Sequence, residues 1–412
     1  MNAVGIDVSK GKSMVAVLGP LAVVVAKPFE VEHSAAGLKG LVKFIKHIDG
    51  ETKVIMEHTG RYYEPVAQAL YDQGLPVSAV NPLLIHEYGG NSLRRVKTDK
   101  ADAKKIARYG LDNWAELREY TPMDTIRYEL KTLNRQFHAA SKTRTAYSNN
   151  LISLLDTSFP GARDWFDSPV RKDGSQKWVD FAKTFWHVDC VRADSLAAFT
   201  ERYHKWCKRK GYQFSREKAE QIHREAREMI VLNPKSATTK LVIQEAATQL
   251  SSISHMVEVL RAEMSRLAMQ LPEYPIVMGM YGVGESLGPQ LMAEIGDIRR
   301  FSGKQSLVAF AGVDPMANQS GEKERRSNKS SKRGSPYLRK TLFNIMSALL
   351  KNEPQDEPVY EFLNRKRAEG KPYYVYMTAG ANKFLRIYYG KVRDYLAELD
   401  TKTNGIPSAN PQ

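Results

Sequence analysis

Cysteine is nearly absent: Cys190 and Cys207 are the only two in 412 residues, and they form no metal-ligand or redox motif. A reducing, cytoplasmic location is the expectation. The nine histidines are scattered, which argues against a zinc site. No apolar run approaches the roughly 18 residues that a membrane span needs. The apolar stretch Ala16–Ala26 is broken by Gly19-Pro20 and reads as two strands and a turn. No basic segment leads into a hydrophobic one at the N-terminus, so no secretion signal is expected. Acidic residues are also under-supplied. Lys and Arg number 61 against 46 Asp and Glu, a net charge of +15. Such an excess points to a polyanionic partner, with nucleic acid ahead of an anionic membrane surface. The hydrophobic content of 42% supports real cores, and the length suits two or three domains.

Among the scarce acids, the spacing of a few stands out. In Lys97-Thr98-Asp99-Lys100-Ala101-Asp102-Ala103-Lys104-Lys105, the two aspartates are three apart, one helical turn from each other on one face. Lys97, Lys100, Lys104 and Lys105 rim them. Paired carboxylates inside a basic rim suit a divalent cation that meets a phosphate backbone. The plainer alternative is an exposed helix start with Thr98 or Asp99 as its N-cap. Upstream, Val4–Lys10, Ser13–Leu18 and Val23–Val31 read as strands, and Ala35–Ile48 as an amphipathic helix. Val54–Met56 is a buried strand ending at Glu57. A helix with Val66, Ala67, Leu70 and Tyr71 inward and the strand Val77–Val80 follow. Hairpin strands and then strand–helix alternation predict a mixed α/β sheet flanked by helices. Asp7 within a strand and Glu57 at a strand's carboxyl end need a reason, because burying a carboxylate is costly and ligand sites gather at such ends. Alternatively Asp7 caps a turn and Glu57 faces solvent.

The pattern of strand Asp, strand-end Glu and helical Asp-x-x-Asp resembles the DEDD-type transposases of bacterial insertion sequences. These carry a RuvC-like (RNase H fold) N-terminal domain, and the Piv-type site-specific DNA invertases are related to them. The matching stretches are Gly5-Ile6-Asp7-Val8-Ser9-Lys10, Glu57-His58-Thr59-Gly60-Arg61-Tyr62 with Pro65, Asn81-Pro82, and Lys97 to Ala103. The resemblance implies that Asp7, Glu57, Asp99 and Asp102 form a catalytic tetrad holding one or two Mg²⁺ ions, with Mn²⁺ as a possible substitute. It places this RuvC-like domain at residues 1–122.

Residues 123–271 read as a helical coiled-coil region. Asp124–Leu155 has a narrow stripe of Leu130, Leu133, Phe137, Leu151 and Leu154, and a second long helix covers Ala237–Leu271. The two either form an arm for dimerisation or nucleic acid, or pair as an intramolecular hairpin. Between them, about residues 158–235, lie four of the five tryptophans among many Lys and Arg. Interleaved rings and cations suit base stacking and phosphate contacts, whereas the competing reading makes the tryptophans a small helical core.

Residues 272–400 read as a mainly α C-terminal domain, followed by a disordered tail at 401–412. Gly282-Val283-Gly284 between two helices suggests a helix-hairpin-helix element in which both glycines let backbone N–H groups approach a phosphate. A basic tract then holds Lys323, Arg325, Arg326, Lys329, Lys332, Arg333, Arg339 and Lys340. By itself it is a solvated nucleic-acid-binding loop, and Ser320 a turn residue. The family has a Ser-Gly pair after a Gly-x-x-Pro segment, and Gly312-Val313-Asp314-Pro315 with Ser320-Gly321 resembles it. The resemblance therefore implies that Ser320 is the nucleophile. The residues alone leave Ser330, Ser331 and Ser335 open.

The function implied is a transposase that excises and integrates an insertion sequence through a covalent phosphoserine intermediate at a composite site. Lys97, Lys104, Gly282, Gly284, Arg325, Arg326, Lys329, Lys332, Arg333 and Arg339 are the candidate nucleic-acid contacts. The resemblance adds donor and target DNA, a structured non-coding guide RNA, and a homodimer assembling to a tetramer on DNA; no membrane is expected. The rivals are a Holliday-junction-resolvase-like nuclease that uses water, a DNA invertase, and a non-catalytic nucleic-acid binder.

Overall fold

A computed structural model describes residues 1–58, 60, 62–88, 98–315, 319, 320, 323, 324 and 330–404, with only the backbone of 319, 320, 323, 324, 403 and 404. The chain divides into two compact units, Met1–Pro122 and Met123–Gln412.

The first unit holds β1 (Asn2–Val8), β2 (Lys12–Leu18), β3 (Val24–Glu32), α1 (Ala35–Lys46), β4 (Thr52–Glu57), α2 (Tyr63–Tyr71), β5 (Val77–Val80), α3 (Pro82–Tyr88) and α4 (Asp99–Asp112). The strands form one mixed sheet in the order β3-β2-β1-β4-β5. β1, β2 and β3 are antiparallel, and β1, β4 and β5 run parallel. The expected mixed sheet flanked by helices is present.

Alternation along the central strands assigns each face a partner. Val4, Ile6, Val54 and Met56 point into a core with Leu41, Val42 and Ile45 of α1 and Val66, Ala67 and Leu70 of α2. Ala3 and Ile55 point the other way, into a core with Ile106 and Ala107 of α4. Gly5 lies on this second face and is the seat of α4. A Cβ there would stand 2.2 Å from the Ala103 carbonyl oxygen and 2.3 Å from the Ala107 nitrogen. Gly110 does the same from the helix side, where a Cβ would meet Ile55 Cδ1 at 2.5 Å. Missing side chains at both points let the helix backbone lie directly on the sheet.

The second unit is helical: α5 (Thr125–Asp156), α6 (Lys177–Thr184), α7 (Asp189–Arg192), α8 (Leu196–Lys210), α9 (Arg216–Glu228), α10 (Ala237–Ala268), α11 (Tyr274–Met278), α12 (Leu287–Ile295), α13 (Lys304–Ala311), the short strands β6 (Gln319–Ser320) and β7 (Lys323–Glu324), α14 (Pro336–Asn352), α15 (Pro358–Ala368) and α16 (Tyr373–Asn404). The two long helices, α5 and α10, pack on each other within the chain. One end of the pair, with Leu130, Phe137, Val257 and Met264, belongs to a core shared with α12, α14 and α16. The other end, with Leu151, Leu155, Ile243 and Leu250, belongs to a separate core built on α6, α8 and α9. Trp165, Trp178, Trp186 and Trp206 are all buried in that separate core. The tryptophans thus pack as an interior, and their rings are withdrawn from any base. No helix among the described residues is long and apolar enough to cross a membrane.

Candidate active site

β1 ends one residue beyond Asp7, and β4 ends at Glu57. The strands pair in parallel with Ile6 opposite Met56. One step further along both brings Asp7 beside Glu57, on strands about 4.8 Å apart. Both alternate onto the face that carries α4. Asp99 and Asp102 occupy the first turn of α4, and Thr98 is its N-cap, accepting the Ala101 N–H at 3.2 Å. With Thr98 capping, both aspartate carboxylates are left for other partners.

The charges of the helix acids reach the strand acids. Asp7 is half-buried, and its carboxyl is raised to about 6 by burial first and then by the charges of Asp102 and Asp99. Glu57 is raised too, by burial, then by Asp7 and Asp102, while Lys105 pulls it down. Lys105 also donates to the His86 carbonyl at 3.3 Å. Among the described residues no three His, Cys, Asp or Glu stand close enough to hold a metal ion as placed.

In the second unit, α13 ends at Gly312, which has a φ of +64°. Lys332 N–H donates to the Gly312 carbonyl at 3.2 Å, Ser331 N–H to that of Asp314 at 3.0 Å, and Ser335 N–H to that of Phe310 at 2.8 Å. Pro315 and Ser330 form an antiparallel bridge. Gly334 sits so close that a Cβ would meet the Phe310 oxygen at 2.0 Å. This clasp ties the two ends of a hairpin whose further part is the β6–β7 pair, with Ser320 opposite Lys323. The Ser320 side chain, and Lys97, Arg325, Arg326 and Lys329 altogether, lie outside the described residues.

Ser331 and Ser335 each make side-chain hydrogen bonds. Ser331 Oγ donates to Asp314 Oδ1 at 2.5 Å. Ser335 Oγ donates to Glu294 Oε2 at 2.8 Å and accepts the Leu338 N–H at 3.2 Å as the N-cap of α14. Buried Glu294 also receives Asn134 at 2.8 Å and Arg135 at 2.9 Å.

Two family models match the chain. Residues 4–160 match the family model of the IS110 DEDD transposases, and residues 274–361 match that of the IS116/IS110/IS902 transposase family. Together they span more than half of the chain. The chain belongs to the IS110 transposase family. Among its relatives, the IS110 insertion-element protein of Streptomyces coelicolor is 24% identical over 87% of this chain and 89% of its own length. The pilin gene-inverting protein of Moraxella bovis is 23% identical over 82% of this chain and 80% of its own. That of Moraxella lacunata matches to the same extent. A solved structure, T. thermophilus RuvC in complex with a Holliday junction substrate, aligns over 28% of this chain and 96% of its own at 16% identity, with a TM-score of 0.23.

An IS110-family transposase acts on DNA, and its expected contact residues divide by what they already touch. Lys104 and Lys332 are exposed, and Arg333 is exposed but already has an interaction of its own. Arg339 is occupied: one guanidinium nitrogen donates to the Ala311 and Gly334 carbonyls, both at 3.0 Å, and so locks the hairpin clasp. Gly282 has a φ of +77°, and a Cβ there would press on Leu349 and Ile345 of α14 at 3.0 and 3.1 Å. Packing and backbone conformation account for that glycine, while the Cβ position of Gly284 is open. Sequence reasoning missed Gly5, Gly110, Glu294 and the Asp314–Ser331 pair, because each acts through a residue far away or through a backbone atom.

The donor set of the acid cluster suits a hard divalent cation: four carboxylates, with no thiol among them. Burial first and then the neighbouring acids raise Asp7 and Glu57, and a bound cation would relieve the repulsion among the acids.

Proposed function

We propose that this IS110-family transposase joins and exchanges DNA strands through a phosphoserine intermediate on Ser320, assisted by a divalent cation. The observation that carries the cation half is the electrostatic coupling of Asp7, Glu57, Asp99 and Asp102, four acids from three separate segments. They would hold one or two Mg²⁺ ions, with Mn²⁺ able to substitute. Bound there, the metal supplies Lewis-acid polarisation of the scissile phosphate. The Ser320 hydroxyl loses its proton, bonds to phosphorus, and a DNA hydroxyl leaves. After strand exchange a DNA hydroxyl displaces Ser320, which recovers a proton, so no phosphodiester is lost. Lys332 and Arg333, exposed at the hairpin clasp, neutralise phosphates. Ser320 is favoured over Ser330, Ser331 and Ser335 by the Ser-Gly resemblance, and Ser335 additionally serves as the N-cap of α14.

Family resemblance supports a structured guide RNA and a dimer assembling to a tetramer on DNA. The pilin gene-inverting relatives support inversion as a second outcome of the same chemistry. The test is a denaturing gel of the protein with donor and target DNA. Ser320→Ala should abolish both the covalent adduct and recombination, whereas Ser331→Ala and Ser335→Ala should retain the adduct. Asp7→Asn should lose both as well. Metal-dependent cleavage that survives in Ser320→Ala would replace this mechanism with water-driven hydrolysis. Sequencing the RNA that copurifies with the protein tests the guide.

A further inference from the structure

Residues 161–273 lie between the two family-model matches, and they hold a cleft of about 580 Å³. It is lined by α8, by the region of α6 and α7, and by Lys235 just ahead of α10. We propose that this cleft is an additional nucleic-acid site that grips the sugar–phosphate backbone without regard to base sequence.

Charge comes first. Arg202, Lys205 and Arg209 line the cleft from α8 at spacings of three and four, so they share one face of the helix. Arg202 is held by Asp194 and the Cys190 carbonyl, which leaves Lys205, Arg209 and Lys235 to meet roughly three phosphates. The two lining acids are already neutralised: Asp189 by Arg192, and Asp194 by Arg202 at 3.0 Å. Lys205 has only exposed Glu201, at 3.2 Å, a pair too solvated to compete strongly with a polyanion. Arg209 and Lys235 make no hydrogen bond or ion pair among the described residues. The cleft therefore presents uncompensated positive charge.

Ring geometry decides what part of the polymer is met. Phe185 and Trp206 also line the cleft, but each is only 2% exposed. The Trp206 indole N–H is spent on Thr184 Oγ1 at 3.0 Å. No aromatic face is offered for stacking, so neither a splayed base nor a mononucleotide finds its usual platform. Solvent-facing cations in a row suit a continuous backbone. The inference rests on the family's action on DNA and is independent of which serine is the nucleophile.

The test uses the full-length protein carrying Lys205→Gln, Arg209→Gln and Lys235→Gln. Its control carries Lys39→Gln, Lys43→Gln and Lys46→Gln on exposed α1 positions, which removes equal charge. Affinities for random-sequence duplex DNA and for a hairpin RNA are measured against salt concentration. The cleft variant should flatten the logarithmic salt slope on at least one polymer by about 2–3 for DNA or about 2 for RNA. Its affinity for that polymer near physiological salt should fall about 10- to 100-fold. Whichever polymer responds identifies the source of the phosphates. The double variant Arg209→Gln/Lys235→Gln should give about two-thirds of the change in slope. Ser320→Ala should keep the wild-type slope, so failure of the nucleophile assignment and failure of the cleft are separable. Equal effects from cleft and control variants, or an unchanged slope on both polymers, would overturn the proposal. So would saturable binding of a mononucleotide in the cleft with both polymer slopes unaltered.

Discussion

The acid cluster and the serine hairpin are held in place by opposite means. The acids are carried by the most buried architecture of the first unit: two parallel central strands and a helix whose backbone rests on the sheet at Gly5. Their positions are consequences of a whole fold. The hairpin is held by a few backbone hydrogen bonds, a close glycine contact, the Ser331–Asp314 bond and the Arg339 guanidinium, all between residues near in sequence, from Phe310 to Arg339. A group that must keep four like charges together needs a stiff frame, because repulsion opposes the arrangement. The nucleophile proposed on the hairpin, which would form and then release a covalent bond, is served by a local element whose opening leaves the core intact.

This contrast is most sharply broken at the two glycines. Gly5→Val drives a branched side chain into the Ala103 and Ala107 backbone, which has nowhere to go. A loss of about 4 kcal/mol or more is expected, read as a drop in the denaturant midpoint of the first unit. Gly334→Ala meets a backbone oxygen as well, at 2.0 Å, but the clasp can open. About 2–3 kcal/mol is expected, appearing as lost hydrogen-exchange protection at the Lys332 and Ser335 amides with little change in the first unit's unfolding. If Gly334→Ala unfolded the whole second unit, the hairpin would prove integral to its core and the contrast would fail.

A smaller effect sharpens the acid side. Asp7 is raised in the folded state to about 6 from an unfolded value near 3.8. Below about pH 4 it is protonated in both states and costs nothing. The penalty grows through pH 4–6 and is complete above, where the folded protein must carry the unwelcome charge. Asp7→Asn should therefore stabilise the metal-free protein above pH 6 by about 1–2 kcal/mol, allowing for solvent screening at a half-buried site. The gain should vanish near pH 4. Saturating Mg²⁺ should raise the wild-type melting temperature more than the variant's, reversing the order. Calorimetry at two pH values, with and without Mg²⁺, checks both signs.

Much of this frame was legible in the chain. Alternating apolar residues and turn glycines mark β1 to β5, and the expected Ala35–Ile48 helix forms as α1, Ala35–Lys46. Asp124 and Ser236 cap the two long helices at the expected starts. The seating of α4 was not legible, because Gly5 serves residues about a hundred positions later and leaves no periodic signal. The reading of the four tryptophans as a small helical core holds, although in sequence rings among cations look alike whether they stack on bases or fill a core. Burial distinguishes the two, and burial is a tertiary property. Arg339 shows the same limit: its charge suggested a phosphate, while its nitrogens meet carbonyls.

The smallest effect tests whether the serines beside the hairpin are framework. Ser335 Oγ bonds the Leu338 N–H and Glu294 together, and so joins the start of α14 to the buried group of Asn134, Arg135 and Glu294. Ser335→Ala removes a helix cap and one of three donors to Glu294, which keeps the other two. A loss of about 1 kcal/mol is expected, by denaturant titration of the second unit. Ser335→Asn, another good capping residue, should restore much of it. The covalent adduct should form at the wild-type level in both variants, because under the proposed mechanism Ser320, and not this helix-capping serine, attacks phosphorus. An adduct lost in Ser335→Ala with stability unchanged would assign the nucleophile to the clasp itself, and the division between framework serine and reacting serine would collapse.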